Sequence, residues 1–342
     1  MIYTSGTTGR PKGALLSHRA LTSNLAAVAS LWGWTRRDRL LLTLPCFHLH
    51  GLALGCAATA VVGSSVVLRD GFEAAEVPRD LAATRSTMFF GVPTMYVRLC
   101  DLPQAATAGV DLSSMRLWAS GSAPLSPAVH ERFAARFGGR IVERFGMSEG
   151  GFMLSTRPGA ERPGSVGWPV PGVECRIALA AGEPVGELQV RGANLFSGYW
   201  RDPEATAAAF ADGWFRTGDL ATNDPDGAVR IVGRLSTDIV KSRGFKISAV
   251  EIEQRLAEHP AVAEAAVIGV PDEVQGQRLV AYVIPAEGAA PDAAELQAFL
   301  RRSLAAYKIP AEVCLVRDVP RTGPGKVNKR RLAEEYRGAA AR

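Results

Sequence analysis

The segment Tyr3-Thr4-Ser5-Gly6-Thr7-Thr8-Gly9-Arg10-Pro11-Lys12-Gly13 stands at the head of the chain. Its glycines allow tight turns that bare backbone N–H groups, its hydroxyls add donors and its lysine adds a point charge, so it is equipped to hold a polyphosphate. It is not a Walker A loop, which requires Gly-x-x-x-x-Gly-Lys-Ser/Thr opening a helix. Here Lys12 precedes Gly13, and no hydroxyl follows it to take a magnesium ion. Taken alone, a stretch this rich in Gly, Ser and Thr is as readily a flexible turn as a phosphate cradle. Behind it, Leu21, Leu25, Val28, Leu31 and Trp32 recur at helical spacing after Ser17, a candidate N-cap. This predicts an amphipathic helix directly after the turn.

Further along, short apolar runs at 65–68, 88–90, 141–142 and 187–190 alternate with helical stretches such as 127–137. Strands and helices in alternation indicate an α/β sheet. Past an apolar strand at 229–232 comes the polar connection Gly233-Arg234-Leu235-Ser236-Thr237-Asp238, and the domain boundary is placed there, giving domains 1–234 and 235–342. The second reads as a small α+β unit, with helices at 249–258 and 292–304 and strands at 263–270, 279–284 and 313–316. Asp292 with Glu295 resembles a capping box that uses Asp as its cap.

The length of 342 residues allows about two domains with cores of their own. Apolar residues at 47% and charged residues at 21% exclude disordered and collagenous chains. The net charge of +5 is concentrated: residues 320–337 hold six basic and two acidic side chains, +4 in all. One short basic tail is not the extended track that nucleic acid requires, so no nucleic-acid partner is expected. Cys46, Cys56, Cys100, Cys175 and Cys314 are odd in number and form no Cys-x-x-Cys pair, which argues for a reducing compartment and against structural zinc or a disulfide framework. No signal peptide is visible, and the expected location is cytoplasmic. Residues 40–68 carry no charge, but Pro45, His48, His50, Gly51, Gly55 and Gly63 punctuate them. A strand, a loop and a buried helix fit better than a membrane span.

The opening loop resembles the signature of the adenylate-forming superfamily, which holds acyl-CoA synthetases, nonribosomal adenylation domains and luciferases. Ser120-Gly121-Ser122-Ala123-Pro124-Leu125, Arg144-Phe145-Gly146-Met147-Ser148-Glu149, Gly198-Tyr199-Trp200, Trp214-Phe215-Arg216-Thr217-Gly218-Asp219, Gly233-Arg234 and Pro324-Gly325-Lys326 resemble its further motifs, in its order. The resemblance runs from Ile2 to about Leu332. It implies a large mixed-sheet adenylate-forming domain, truncated at its start, followed by a small mobile α+β domain. It also implies ATP, Mg²⁺ and coenzyme A as cofactors.

Adenylation needs charge neutralised on both the entering and the leaving oxygens of an in-line displacement. By resemblance, Thr4, Ser5, Gly6, Thr7, Thr8, Gly9 and Lys12 hold the β- and γ-phosphates, and Glu149 binds Mg²⁺. Asp219 accepts from the ribose hydroxyls with Arg234 beside it. Phe145 stacks on adenine, the turn Gly121, Ser122, Ala123, Pro124 meets its edge, and Gly146 and Ser148 complete the nucleotide site. Lys326 is the catalytic lysine; otherwise it is a surface lysine in a basic tail. Only six lysines occur against 33 arginines, so a lysine inside a motif stands out. Relatives rotate the small domain for thioester formation. Residues 236–238 are the expected hinge, and Lys241, Ser242, Arg243 and Gly244 match the segment facing the pantetheine channel.

Leu44-Pro45-Cys46-Phe47-His48-Leu49-His50-Gly51 falls where relatives gate or line the acyl pocket. It offers no aspartate for an amino group, which disfavours amino acids. With Phe90-Gly91-Val92-Pro93-Thr94-Met95-Tyr96 and Glu143-Arg144-Phe145-Gly146-Met147, it is most similar to the malonyl-CoA synthetase subgroup. Arg144 is the residue corresponding to the subgroup's arginine for a second carboxylate, a guanidinium fork being matched to that group. The alternative is an Arg144 paired with Glu143 or another acid. His48 and His50 are pocket donors or satisfied structural residues. Ser148-Glu149-Gly150-Gly151-Phe152 departs from the family's usual Thr-Glu-Thr, which leaves a medium-chain or aryl acid as competitor to malonate or methylmalonate.

Relatives carry a substantial segment before the phosphate loop, whereas this chain begins at it; a truncated coding region, a misassigned start or a naturally shortened form is expected, with an exposed sheet edge open to a complementing N-terminal segment. Two classes of function follow: an ATP-dependent acyl-CoA ligase acting on a small carboxylic acid and CoA, or on a carrier protein's pantetheine arm; or a nonenzymatic remnant that binds nucleotide or a partner without turnover.

Overall fold

The computed structural model describes residues 1–4, 11–179, 184–242, 245–321 and 327–340. The chain divides into two compact units, Met1–Thr217 with Thr222–Ile231, and Gly218–Ala221 with Val232–Arg342.

In the first unit, β1 (Ile2–Thr4) and β2 (Lys12–Ala14) pair antiparallel with Thr4 opposite Lys12. Ser5, Gly6, Thr7, Thr8 and Gly9 between them lie outside the described residues. The expected helix follows as α1 (His18–Leu31), whose first turn is capped by Ser17 Oγ accepting from the Ala20 N–H at 3.0 Å. The uncharged stretch becomes β3 (Arg39–Leu42), a loop, a π-helical run His50–Ala57 continuing into α2 (Ala58–Val62), and β4 (Ser65–Leu68). Then come α3 (Val77–Thr84), β5 (Met88–Gly91), α4 (Pro93–Cys100), β6 (Leu117–Ser120), α5 (Pro127–Phe137) and β7 (Ile141–Met147).

Strands β3 to β7 run parallel in the order β4-β3-β5-β6-β7, and β8 (Gly151–Ser155) and β9 (Trp168–Pro169) extend the sheet antiparallel. The central strands are apolar at almost every position because both faces are covered. On one face Leu41, Phe89, Trp118 and Ile141 pack with Leu81 of α3, Tyr96 of α4 and Phe133 of α5. On the other, Phe90 meets Trp32 and Trp34 edge-on, each with centroids 5.5 Å away. A second sheet holds β10 (Val173–Ala178), β11 (Gly186–Gly192), β12 (Phe210–Ala211), β13 (Trp214–Asn223) and β14 (Val229–Arg234), with α6 (Pro203–Ala208) leading into β12.

The second unit is built on β15 (Ile239–Ser242), β16 (Phe245–Ser248), β17 (Val262–Asp272), β18 (Gly276–Pro285) and β19 (Glu312–Leu315), in the order β16-β15-β18-β17 with β19 parallel to β18. One face is covered by α7 (Ala249–Leu256) and α8 (Ala293–Arg301), through Ile252, Leu256, Leu296 and Leu300. Helix α9 (Lys329–Ala340) covers the other through Leu332 and Tyr336. Among the described residues, no helix is long and apolar enough to cross a membrane.

Candidate active site

The carboxyl ends of the parallel strands lie level. Leu42 pairs with Phe90, Gly91 with Ser120, and Ser120 with Glu143. Thr43, Ser120 and Arg144 therefore share one end of the sheet, the end at which open α/β sheets bind ligands. Among the described residues, Thr43 Oγ1, Ser120 Oγ and Arg144 Nε and Nη2 are buried there with no hydrogen-bond partner. Buried polar atoms are almost always satisfied, so a cluster of unmet ones at a binding end points to a polar ligand.

Arg144 is 5% exposed, and burial pulls its guanidinium down to about 9. It stacks over Phe152, 4.8 Å from the ring centroid. The pairing with Glu143 is not made. Neighbours along β7 point to opposite faces, and Glu143 Oε1 lies 2.8 Å from His130 Nε2 and accepts from the Gly164 N–H at 2.9 Å. Gly121 makes room for the arginine: a Cβ there would fall 2.6 Å from Arg144 Cζ and Nε. Ser122, next in the turn before Ala123 and Pro124, has φ 73°, a region costly for a side-chain-bearing residue and frequent at functional turns. His50 is buried on the π-helical run, and His48 is half-buried with its ring 4.4 Å from Phe47. Phe145 lies half-buried in β7 opposite Leu154, and Gly146 presses against the Gly151 carbonyl, where a Cβ would sit at 2.2 Å.

Glu149 stands in the turn Ser148-Glu149-Gly150 between β7 and β8 and is 6% exposed. That turn is clamped from distant parts of the first unit. Its Glu149 carbonyl accepts from the Phe196 N–H at 2.7 Å, and its Gly150 carbonyl from Asn194 Nδ2 at 2.5 Å. Asn24 of α1 exchanges two hydrogen bonds with the Phe152 backbone, at 2.8 and 2.9 Å. The Glu149 carboxylate accepts from Tyr199 Oη at 2.8 Å, and the ring of that tyrosine lies under Lys12 Nζ, 5.0 Å from ammonium to centroid. Tyr199 is fixed by the backbone: the Trp200 N–H donates to the Gly13 carbonyl, and the Leu15 N–H to the Gly198 carbonyl. Lys12 and Glu149, 137 positions apart in sequence, are thus joined through one aromatic side chain.

A buried, rigidly held carboxylate fits Mg²⁺, which takes one or two carboxylates together with phosphate oxygens rather than a protein cage. Among the described residues, no cluster of three or more His, Cys, Asp or Glu is placed to hold a metal by itself.

In the second unit, Arg234 Nε lies 3.6 Å from Asp219 Oδ1, so the two residues assigned to the ribose are neighbours. Lys241 and Ser242 are on β15, and Ser242 lines a cleft of ≈ 520 Å³ with Gln275, Gln297, Arg301 and Tyr307. Arg243, Gly244 and Lys326 lie outside the described residues.

Comparison with known proteins places the chain in a family. Residues 1–200 match the AMP-binding enzyme family and residues 251–326 the AMP-binding enzyme C-terminal domain; the chain belongs to this family. It is 39% identical to the mitochondrial malonate–CoA ligase ACSF3 of Mus musculus over 98% of this chain and 64% of that protein. It is 40% identical to a feruloyl-CoA synthase of an Amycolatopsis species, over 98% and 69%. Among solved structures, ATP-bound MatB from Rhodopseudomonas palustris matches with a TM-score of 0.91 at 39% identity, covering 99% of this chain and 68% of MatB. The chain thus spans a little under two thirds of the length of the malonate–CoA ligases.

Proposed function

We propose that this chain carries the catalytic machinery of an AMP-forming acid–thiol ligase, with malonate or methylmalonate as its acid. The observation that carries the acid is Arg144, buried at the ligand-binding end of the sheet with two nitrogens lacking acceptors among the described residues. A carboxylate supplies the planar, bidentate acceptor such a fork requires. One carboxylate of the diacid attacks the α-phosphorus of ATP and pyrophosphate departs; a thiol of CoA or of a carrier protein then attacks the acyl carbon and AMP leaves. Lys12 and the front loop hold the leaving phosphates, Lys326 supplies positive charge in the first step, and Asp219 with Arg234 holds the ribose. Mg²⁺, held by Glu149, would neutralise phosphate charge. In this reading 1–234 is the adenylation domain and 235–342 the mobile C-terminal domain, with Lys241 to Gly244 facing the thiol channel.

The 40% identity to a feruloyl-CoA synthase favours an aryl acid as second reading. Labelled pyrophosphate exchange into ATP tests the proposal. Exchange is expected with malonate or methylmalonate and is expected to vanish in Lys326→Ala. Well-folded protein that supports exchange with no acid contradicts it.

A further inference from the structure

We propose that Cys46 and Cys56 form a redox-responsive dithiol, whose oxidation to a disulfide stiffens the segment bearing His48 and His50. Ten positions apart in sequence, the two thiols are brought by the fold to an Sγ···Sγ distance of 3.8 Å, both half-buried and within reach of a small oxidant. The approach is built into the backbone. A Cβ on Gly51 would lie 2.4 Å from the Pro45 carbonyl oxygen, and one on Gly55 would lie 2.5 Å from Leu42 Cδ2. These two glycines set the run His50–Ala57 directly on the chain leaving β3, and Cys56, next after Gly55, lands over the turn that carries Cys46.

A disulfide needs sulfurs about 2.05 Å apart, so closure requires the two atoms to approach by roughly 2 Å in total. Cys46 lies in a turn rather than a strand or helix and can supply that movement. Each of the other thiols sits in a different element: Cys100 in α4, Cys175 in β10 and Cys314 in β19. With oxidised glutathione as oxidant, the Cys46 thiolate attacks one of its sulfurs, the oxidant's S–S bond breaks and one glutathione thiolate leaves. The Cys56 thiolate then attacks the Cys46 sulfur of the mixed disulfide and the second glutathione leaves. The protein loses two electrons and two protons, which the oxidant carries away as two thiols. Burial pushes the Cys56 thiol upward. The closed ring encloses residues 47–55, His48 and His50 among them.

The consequence for acid activation rests on the ligase reading, whereas the stiffening does not. The test equilibrates the whole chain in reduced and oxidised glutathione, maps the peptides, and follows amide hydrogen exchange over residues 44–57. Oxidation is expected to link Cys46 to Cys56 and slow amide exchange across the segment about tenfold, with reversal by dithiothreitol. Cys56→Ser and Cys56→Ala are expected to do neither. Mixed disulfides without the Cys46–Cys56 link, or a link that leaves amide exchange unchanged, overturn the proposal. Pyrophosphate exchange is expected to fall about tenfold on oxidation, the scale of a misplaced pocket wall. Reduced protein inactive with every acid counts against the ligase reading alone, because mapping and amide exchange decide the dithiol without turnover.

Discussion

At Arg144 the unliganded fold keeps a charged fork in an apolar setting, a cost that an arriving carboxylate removes. Arg144→Met keeps the volume and deletes the charge. It is expected to raise the melting temperature of the unliganded protein. The pKa of about 9 sets the sign. Because the folded value lies below the unfolded one, the penalty is complete below about pH 9 and lifts as pH rises beyond it. The advantage of the variant is therefore full at neutral pH and shrinks in alkali, which thermal denaturation across pH will show. Tyr199→Phe removes one hydrogen bond to a carboxylate. About 1.5 kcal/mol, or roughly tenfold in exchange rate, is expected to go with it, with a raised Mg²⁺ requirement and little change in the KM for acid. Arg144 and Glu149 were legible in the sequence because they sit in motifs. The clamps Asn24, Asn194 and Tyr199 were not assigned roles, because their partners lie 128, 44 and 50 residues away and no local pattern records such contacts.

Elements were legible wherever their signals are local. Ser17 before α1, Pro at the start of α5 and the apolar strands all lie where periodicity and caps place them. Of the Asp292–Glu295 capping box only half forms: Asp292 accepts from the Glu295 N–H at 2.7 Å, while the Glu295 carboxylate reaches His259 at 3.5 Å instead of returning to the cap. The β15–β16 hairpin went unread because each strand is only four residues long, too short for its alternation to stand out. The π-helical run gives no periodic signal that separates it from an α-helix. Where β3 begins, Asp38 ties three strands at their amino ends, accepting from the Thr35 N–H, Thr87 Oγ1 and Arg116 Nε at 2.7 to 2.8 Å. Burial pushes its carboxylate up, but these bonds outweigh it and hold it at about 2, below the ordinary 3.8. Its stabilisation is therefore present above about pH 4 and is lost as pH falls toward 2. Asp38→Asn is expected to lower stability at neutral pH and flatten the acid limb of the denaturation profile.

Across the whole molecule, lysine scarcity did not by itself mark chemistry. Lys308 pairs with Glu251 at 2.7 Å, and Lys329 sits half-buried between Asp238 at 2.5 Å and Glu253 at 2.7 Å. Burial pulls the Lys329 ammonium down, yet Glu253 and Asp238 outweigh it and hold its pKa above the ordinary lysine value. This pairing ties α9 to the connection after β14 and to α7, so Asp238, one of the residues expected to hinge, is anchored within the second unit. Lys329→Met leaves two half-buried carboxylates facing each other and is expected to cost about 1.5–3 kcal/mol, read as a lower denaturant midpoint for that unit. The change of character after residue 232 lies beside the division of the two units at Ile231/Val232, while Gly218–Ala221, expected in the first domain, falls in the second unit. The pairing of tail with connection was not legible, because 91 residues separate Lys329 from Asp238. What the chain does as a whole turns on whether its strand ends read a second carboxylate, and pyrophosphate exchange with malonate and with propionate, in wild type and Arg144→Met, measures that directly. The expected result is exchange on malonate that falls roughly a hundredfold in the variant while propionate exchange barely moves; equal losses for the two acids would contradict the account.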